Sequence, residues 1–141
     1  MIITKTNIDM VFDELWPTMM LVHDHKQNCL NQISSIQNYF KKKSDHNMLL
    51  NNLCSLDGIG ITIGTGLIWS AYPDTRVPFD TYTLTYALTE KIIATINVSE
   101  NYVLYSDKIK KYCDKRQCTI EDFVRESTIE LEDYEFLQDP L

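Results

Sequence analysis

The stretch LCSLDGIGITIGTGLIWSAYP, residues 53–73, contains all four glycines of this 141-residue chain. They stand at Gly58, Gly60, Gly64 and Gly66. Three kinds of structure use glycine in such a pattern: a β-strand with isoleucine on one face, a phosphate-binding loop that follows a strand, and a tight turn between two helices. Each implies a different protein, so this stretch decides the fold.

Two of these structures fit the stretch poorly. Ile59, Ile61 and Ile63 alternate as in a strand, but glycine weakens strands, and no neighbouring run with a turn signal offers a partner strand. A dinucleotide-binding loop needs the spacing G-x-G-x-x-G, and a P-loop ends in Gly-Lys-Ser or Gly-Lys-Thr. The glycines here follow a helical pattern with the spacing G-x-G-x-x-x-G, and no Gly-Lys pair comes after them.

A tight turn between two helices fits best. An apolar helical pattern ends at Leu56, and Asp57-Gly58 is a typical helix stop. Gly58 and Gly60 are free to adopt positive φ, which allows a sharp reversal of the chain. We expect the side chain of Ile59, between them, to enter the core.

The second helix of this hairpin is predicted from Ile61 to Ala71. Gly64 and Gly66 lack side chains, so the two helices can approach each other closely. At the start of the second helix the backbone N–H groups point outward, and the positive end of the helix dipole lies behind them. Such a helix start can bind a phosphate without a basic side chain.

The rest of the chain also has mainly helical patterns. In residues 27–43 the apolar side chains recur every three or four positions, whereas residues 91–98, KIIATINV, suit either a strand or the end of a helix. We predict an all-α fold, a compact bundle of about seven or eight short helices in residues 1–128. Five of the predicted helices follow candidate N-cap residues: Thr6 with Asp9, Ser44 or Asp45, Asp80, Ser99, and Thr119 with Asp122.

Charge is concentrated at the C-terminal end of the chain. Residues 121–141 contain eight acidic side chains and one basic side chain, Arg125, which accounts for the whole net charge of −7. We therefore predict an acidic tail at residues 129–141 that can bind a partner protein. The basic runs at residues 41–43 and 108–116 are compatible with phosphate binding, and equally with solvated helix ends.

The sequence predicts a cytoplasmic protein without membrane contact. It contains no run of about eighteen apolar residues, which is the length that a membrane-spanning helix requires. The N-terminal residues MIITKTNIDM lack the basic and apolar regions of a signal peptide.

The cysteines indicate reduced thiols and no metal site. Cys113 and Cys118 form one C-x4-C pair, but Cys29 and Cys54 do not supply the second close pair that is typical of structural zinc. His25 would share a helix face with Cys29, and two ligands alone make a poor metal site.

The glycine stretch and a later motif together resemble a known family. L-x-x-L-D-G-I-G-I-T-I-G is followed about twenty residues later by VPFDTYTL. This combination looks like the helix-hairpin-helix and Gly/Pro-Asp signature of the base-excision DNA glycosylase superfamily. YCDKRQCTIEDFVRES, further along, resembles the closing helices of small single-domain members. The resemblance covers residues 48–128, with the hairpin at residues 48–71 and the Asp loop at residues 77–89.

The resemblance implies roles for individual residues. The hairpin of the family grips a DNA phosphate through backbone amides, and a catalytic aspartate at the head of a following helix faces the extruded nucleotide. At the matching positions, the hairpin is Gly58, Ile59, Gly60, Ile61 and Thr62, and the carboxylate is Asp80. Four basic residues are further candidates for contact with the DNA backbone: Lys41, Lys42, Lys43 and Arg76.

The resemblance also bears on the reaction. Members with lyase activity have a lysine nucleophile two residues after the second hairpin glycine, and this chain has Thr62 there. The resemblance is then compatible with a monofunctional reaction, which removes the base without cleaving the DNA strand. In this reaction Asp80 would stabilise the cationic sugar as the base departs, or orient a water. The only cofactor that the resemblance suggests is a monovalent cation at the hairpin.

Two simpler interpretations stay open. The hairpin can be a structural turn without a ligand, and Asp80 can be an N-cap alone. In that case the chain is a non-catalytic interaction module that binds a partner protein through its acidic tail or through a hydrophobic face. The partner can itself be a protein that binds nucleic acid.

Overall fold

A computed structural model gives the fold of residues 3–15, 22–93 and 98–131. Within these ranges the chain forms eight α-helices and one π-helical segment, and no strand. The all-α prediction is therefore confirmed. The helices are α1 (Lys5–Met10), continued by the π-helical segment Val11–Leu15, α2 (Val22–Asn31), α3 (Ile33–Lys41), α4 (His46–Cys54), α5 (Ile61–Ala71), α6 (Thr81–Thr89), α7 (Val98–Lys115) and α8 (Ile120–Leu131).

Helix α5 forms the centre of the bundle. Every residue from Ile63 to Ala71 is buried, which is expected of a helix that is apolar on all sides. It packs against α1 and α4, and the π-helical segment also contacts it. The sequence that predicted the hairpin thus also supplies the helix around which the rest of the chain folds.

Helices α6, α7 and α8 pack together through aromatic side chains. The ring of Phe123 on α8 makes edge contacts with Tyr86 on α6, at 5.3 Å, and with Tyr112 on α7, at 6.2 Å. Helix α7 also packs along α4, where the N–H of Val103 donates to Oδ1 of Asn47. These contacts join the C-terminal helices to the hairpin.

The caps predicted at Asp45 and at Thr119 with Asp122 are present, whereas the N-cap of α1 is Thr4 and not the predicted Thr6. Oδ1 of Asp45 accepts from the N–H of Met48 at the start of α4, so Asp45 and not Ser44 is the cap. At the start of α8, Thr119 and Asp122 each accept a hydrogen bond from the backbone N–H of the other. These bonds hold the pKa of Asp122 below its usual value.

Helix α7 contains a kink close to its start. Asn101 has non-helical dihedral angles there, with φ −146° and ψ 57°. Its Oδ1 accepts from the N–H of Leu104, at 3.4 Å, as an N-cap does. The longer part of α7 therefore begins at this asparagine and not at the predicted cap Ser99.

Some sequence predictions fall at the edge of the described residues or beyond them. Helix α8 continues to Leu131, so residues 129–131 of the expected tail are helical, and residues 132–141 lie outside the described ranges. Of the ambiguous run 91–98, residues 94–97 also lie outside them. Among the helices that are described, none has the length and apolar character needed to cross a membrane.

Candidate nucleic-acid interface

The predicted hairpin is present between α4 and α5. The chain leaves α4 at Cys54 and enters α5 at Ile61, so the turn occupies six residues, 55–60. Gly58 has φ +73°, the left-handed conformation that favours glycine. Ile59 is only 3% exposed and anchors the turn in the core, as expected.

Gly60 differs from the prediction. It has φ −100° and ψ −168°, an extended conformation that any residue can adopt, so it does not use the positive φ that glycine allows. Gly58 alone reverses the chain, and Gly60 is the N-cap of α5. A Cβ atom at Gly60 would meet nothing within 4 Å.

Close packing of the two hairpin helices occurs at Gly64. A Cβ atom there would lie 2.9 Å from Cδ1 of Leu50 and 3.5 Å from Sγ of Cys54, both on α4. The absence of a side chain at Gly64 therefore lets α5 approach α4, as predicted. Gly66 is also buried.

The turn is fastened from outside by two amide side chains. Nδ2 of Asn28, on α2, and Nε2 of Gln32, just before α3, both donate to the carbonyl oxygen of Asp57, each at 2.8 Å. Asn28 also leaves no room for a side chain at Gly58, the residue after Asp57, because a Cβ atom there would lie 2.5 Å from Nδ2 of Asn28. The turn is thus held rigidly on its α2 side.

The start of α5 presents free backbone donors. The N–H of Ile59 donates internally to the carbonyl of Leu56, but Gly60 has no side chain with which to cap the helix. For the N–H groups of Ile61 and Thr62 the described residues provide no acceptor. Gly60 is exposed, and Ile61 and Thr62 are half-buried. Three of the five residues predicted to clamp phosphate therefore lie together at an accessible helix N-terminus.

The segment that leads to Asp80 is fixed by α7. The hydroxyl of Tyr102 donates to the carbonyl of Val77 at 2.7 Å, and that of Tyr105 donates to the carbonyl of Pro78 at 3.3 Å. The N–H of Val77 donates to the hydroxyl of Ser106. Burial raises the pKa of both tyrosines, which keeps their hydroxyls protonated as donors. The predicted Asp loop is thus rigid before it reaches its aspartate.

One threonine connects the hairpin to the Asp loop. Thr65, fully buried on α5, accepts from the N–H of Phe79 at 2.9 Å and donates to the carbonyl of Thr62 at 3.2 Å. Asp80 follows at once and caps α6, with Oδ1 accepting from the N–H of Thr83 at 2.8 Å. The fold therefore joins the two predicted parts of the site through a short polar chain.

Asp80 has a structural role in its own right. Its N–H donates to Oγ1 of Thr83, so the two residues form a reciprocal capping box. The residue is half-buried. The N-cap role is confirmed, and the catalytic role stays a prediction.

Arg76 is held by protein groups. Its Nε donates to Nδ1 of His46 at 2.6 Å, and its Nη1 lies 3.4 Å from Oδ1 of Asp107. Only 17% of the side chain is exposed. Arg76 was predicted to contact the DNA backbone, and in the structure its guanidinium instead forms an ion pair with Asp107.

The three lysines at the end of α3 are exposed, and one lies beside the hairpin. Nζ of Lys42 is 4.9 Å from the centre of the Tyr39 ring. The hydroxyl of Tyr39 is 3.5 Å from Oγ of Ser55, the first residue of the turn. Through Tyr39, Lys42 therefore lies near the α4 end of the turn. Lys41 and Lys43 flank it in the chain.

The second basic run lies elsewhere. Lys110 forms an ion pair with Asp114 at 2.9 Å and feels the charge of Asp74, which follows the C-terminal end of α5. Helix α5 has 11 residues, about 16 Å of helix. Lys110 is thus placed near the end of α5 opposite to the hairpin turn.

Sequence reasoning missed three residues that shape the site. Asn28 and Gln32 are distant in sequence from the turn that they fasten, and no local pattern marks them. Thr65 had a signal, since a threonine inside an otherwise apolar helix needs a hydrogen-bond partner when buried.

Within the described ranges, no group of three His, Cys, Asp or Glu side chains is placed to hold a metal ion.

The chain was compared with protein-family models, with curated proteins and with solved structures. No family model, curated protein or solved structure matches it. The geometry of the hairpin and of the Asp loop therefore carries the functional argument.

Proposed function

We propose that this chain binds the backbone of DNA through the turn between α4 and α5. The observation that supports this most is the start of α5, where Gly60 replaces a capping side chain and leaves the N–H groups of Ile61 and Thr62 without an acceptor in the described residues. A phosphate oxygen is the acceptor that such a helix start favours, because the N–H groups and the helix dipole act together.

The surroundings of the turn supply rigidity and some positive charge. Asn28 and Gln32 hold the carbonyl of Asp57, so the amides do not need to be ordered when a ligand binds. Lys42 extends from α3 on the same side as Ser55. The exposed carboxylate of Asp57 opposes this attraction, so we expect modest affinity and a preference for low salt.

A salt titration with labelled DNA tests the proposal. Binding of duplex and single-stranded oligonucleotides is measured by fluorescence anisotropy, with the full chain and with a chain ending at Leu131, where α8 ends. Phosphate contacts release counterions, so the logarithm of the affinity must fall linearly with the logarithm of salt concentration. The truncated chain should bind more tightly, because residues 132–141 carry negative charge. If neither chain binds at low salt, the proposal is wrong.

We further propose Asp80 as the carboxylate of a monofunctional DNA glycosylase. The support is its position: Thr65 ties its loop to the hairpin helix, and α7 fixes the residues before it. Asp80→Asn is a clean test, since asparagine caps helices about as well as aspartate. On duplexes that each carry one damaged base, the variant should bind as the unmodified chain does and release no base. Equal base release by both proteins would remove Asp80 from catalysis.

A second candidate function is the binding of a protein. The exposed surface of α8 includes the acidic residues Glu121 and Asp122, and Ile129 near its end is 62% exposed. A partner with a basic, partly apolar surface would suit this helix. Absence of DNA binding in the salt titration, by both chains, would favour this function.

A further inference from the structure

The C-terminal end of α7 brings two cysteine thiols together. Helix α7 ends at Lys115, and Gln117 follows with φ +55°. The N–H of Cys118 donates to the carbonyl of Cys113 at 3.0 Å, and the N–H of Gln117 donates to the carbonyl of Asp114 at 3.2 Å. These two bonds and the left-handed residue define a Schellman motif.

In a Schellman motif, the side chains at the two ends of the longer hydrogen bond frequently contact each other. Those ends are Cys113 and Cys118 here, and Cys118 lies close enough to help raise the pKa of the Cys113 thiol, after burial. Cys113 is fully buried, whereas Cys118 is half-buried at the surface of the turn. The backbone therefore holds one accessible and one protected thiol side by side.

We propose that Cys113 and Cys118 form a redox-active dithiol, which a low-molecular-weight disulfide such as oxidised glutathione converts into an intrachain disulfide. In the first step the Cys118 thiol loses its proton and its sulfur attacks one sulfur of oxidised glutathione. The glutathione S–S bond breaks, and one glutathione leaves as a thiolate that takes up a proton.

In the second step the Cys113 thiol loses its proton, and its sulfur attacks Cys118. The mixed disulfide breaks and the second glutathione leaves. The protein loses two electrons and two protons, and oxidised glutathione becomes two reduced molecules. Burial raises the pKa of Cys113 to about 12, so this second step is the slower one. Cys118 reacts before Cys113 because, of the two, only Cys118 is accessible to the incoming disulfide.

Trypsin gives a direct test, because Lys115 and Arg116 lie between the two cysteines. The folded chain is incubated with oxidised glutathione, quenched with N-ethylmaleimide in denaturant so that buried free thiols also react, and digested without reductant. We expect the two cysteine peptides to remain joined in at least about half of the molecules, with both maleimide sites lost. Reductant must separate them. Cys29 and Cys54, buried and half-buried on other helices, should stay maleimide-labelled.

Two variants control for folding and for the identity of the pair. Cys118→Ser should show no joined peptides and keep its circular dichroism spectrum, whereas Cys54→Ser should oxidise as the unmodified chain does. Separate peptides from the oxidised unmodified chain, each carrying glutathione or maleimide, would overturn the proposal. A disulfide-linked dimer in place of the intrachain link would also overturn it.

Discussion

Thr65 and Phe79 join the centre of the bundle to the loop that carries Asp80. Oγ1 of Thr65, fully buried on α5, accepts from the N–H of Phe79 at 2.9 Å. The same hydroxyl donates to the carbonyl of Thr62 in the first turn of α5. One buried hydroxyl therefore links the first turn of the hairpin helix to the segment before Asp80.

Loss of this hydroxyl should release the loop. Thr65→Val conserves the shape of the side chain but leaves the N–H of Phe79 without its acceptor. We expect a loss of about 1–3 kcal/mol in the free energy of unfolding, measured by urea denaturation. In Thr65→Ser, which keeps the hydroxyl, the amide of Phe79 should stay protected from hydrogen exchange. Equal protection of this amide in both variants would show that the bond does not hold the loop.

The left-handed residue of the turn should tolerate no side chain. Gly58→Ala places an alanine at φ +73° and a Cβ atom 2.5 Å from Nδ2 of Asn28, which displaces that side chain from the carbonyl of Asp57. The dihedral strain alone costs about 1–2 kcal/mol. In an Asn28→Ala background the steric part disappears, so Gly58→Ala should cost less there. Strictly additive unfolding energies would contradict the contact.

The stability of the fold should fall in acid because of His46. Burial, followed by the neighbouring Arg76 guanidinium, lowers the pKa of His46 from its ordinary value of 6.5, against the opposing charge of Asp45. As the pH falls below 6.5, the unfolded chain takes up the proton first. The contribution of His46 to the free energy of unfolding is therefore fully present above this pH, and it is lost as the pH falls through the pKa of the folded state.

His46→Asn tests this pH dependence. Asparagine offers an oxygen near the position of Nδ1, so Arg76 keeps an acceptor, but no proton is taken up. We expect the free energy of unfolding of this variant to change less between about pH 7 and pH 5 than that of the unmodified chain. Parallel profiles for the unmodified chain and His46→Asn would exclude His46 as the cause.

A serine at the N-cap of α5 should raise the stability of the fold and lower its affinity for DNA. The dihedral angles of Gly60 suit serine, and a Cβ atom there has open space. The serine hydroxyl would cap the helix start, which we expect to stabilise the fold by up to about 1 kcal/mol. The same hydroxyl would occupy donors that phosphate needs, so DNA affinity should fall. Stability is read from thermal unfolding and affinity from anisotropy, and tighter DNA binding by Gly60→Ser would contradict the proposed clamp.

The sequence predicted the parts of this fold that local chemistry determines. The helix stop at Asp57-Gly58, the caps at Asp45 and Asp80, and the buried Ile59 follow from residues adjacent in the chain. Arg76 could not be placed in the same way. Its partners, His46 and Asp107, lie 30 and 31 residues away, and only the packing of α4 on α7 brings them together.

At the candidate site, too, the sequence predicted what adjacent residues determine, but not what contacts between distant residues determine. The glycine spacing predicted a turn, but it did not reveal which glycine adopts positive φ, because both positions are compatible with either conformation. At Gly58 the amide of Asn28 occupies the space where a Cβ atom would stand, whereas at Gly60 that space is open. Such contacts between distant segments arise only when the helices pack.

The most direct test of phosphate binding by the hairpin removes one backbone donor without adding a charge. Ile61 is the first residue of α5, where proline is favoured, and Gly60 before it is extended, as a residue before proline prefers. Ile61→Pro therefore deletes the N–H, and Ile61→Ala deletes the same side chain but keeps the N–H. Both variants must first show matching circular dichroism spectra.

DNA affinities of these two variants, measured at the same low salt concentration, decide the question. A hydrogen bond to a charged phosphate contributes about 1.5–3 kcal/mol, so Ile61→Pro should bind roughly tenfold or more weakly than Ile61→Ala. Equal affinities would show that the amide of Ile61 does not hold phosphate and would contradict the clamp.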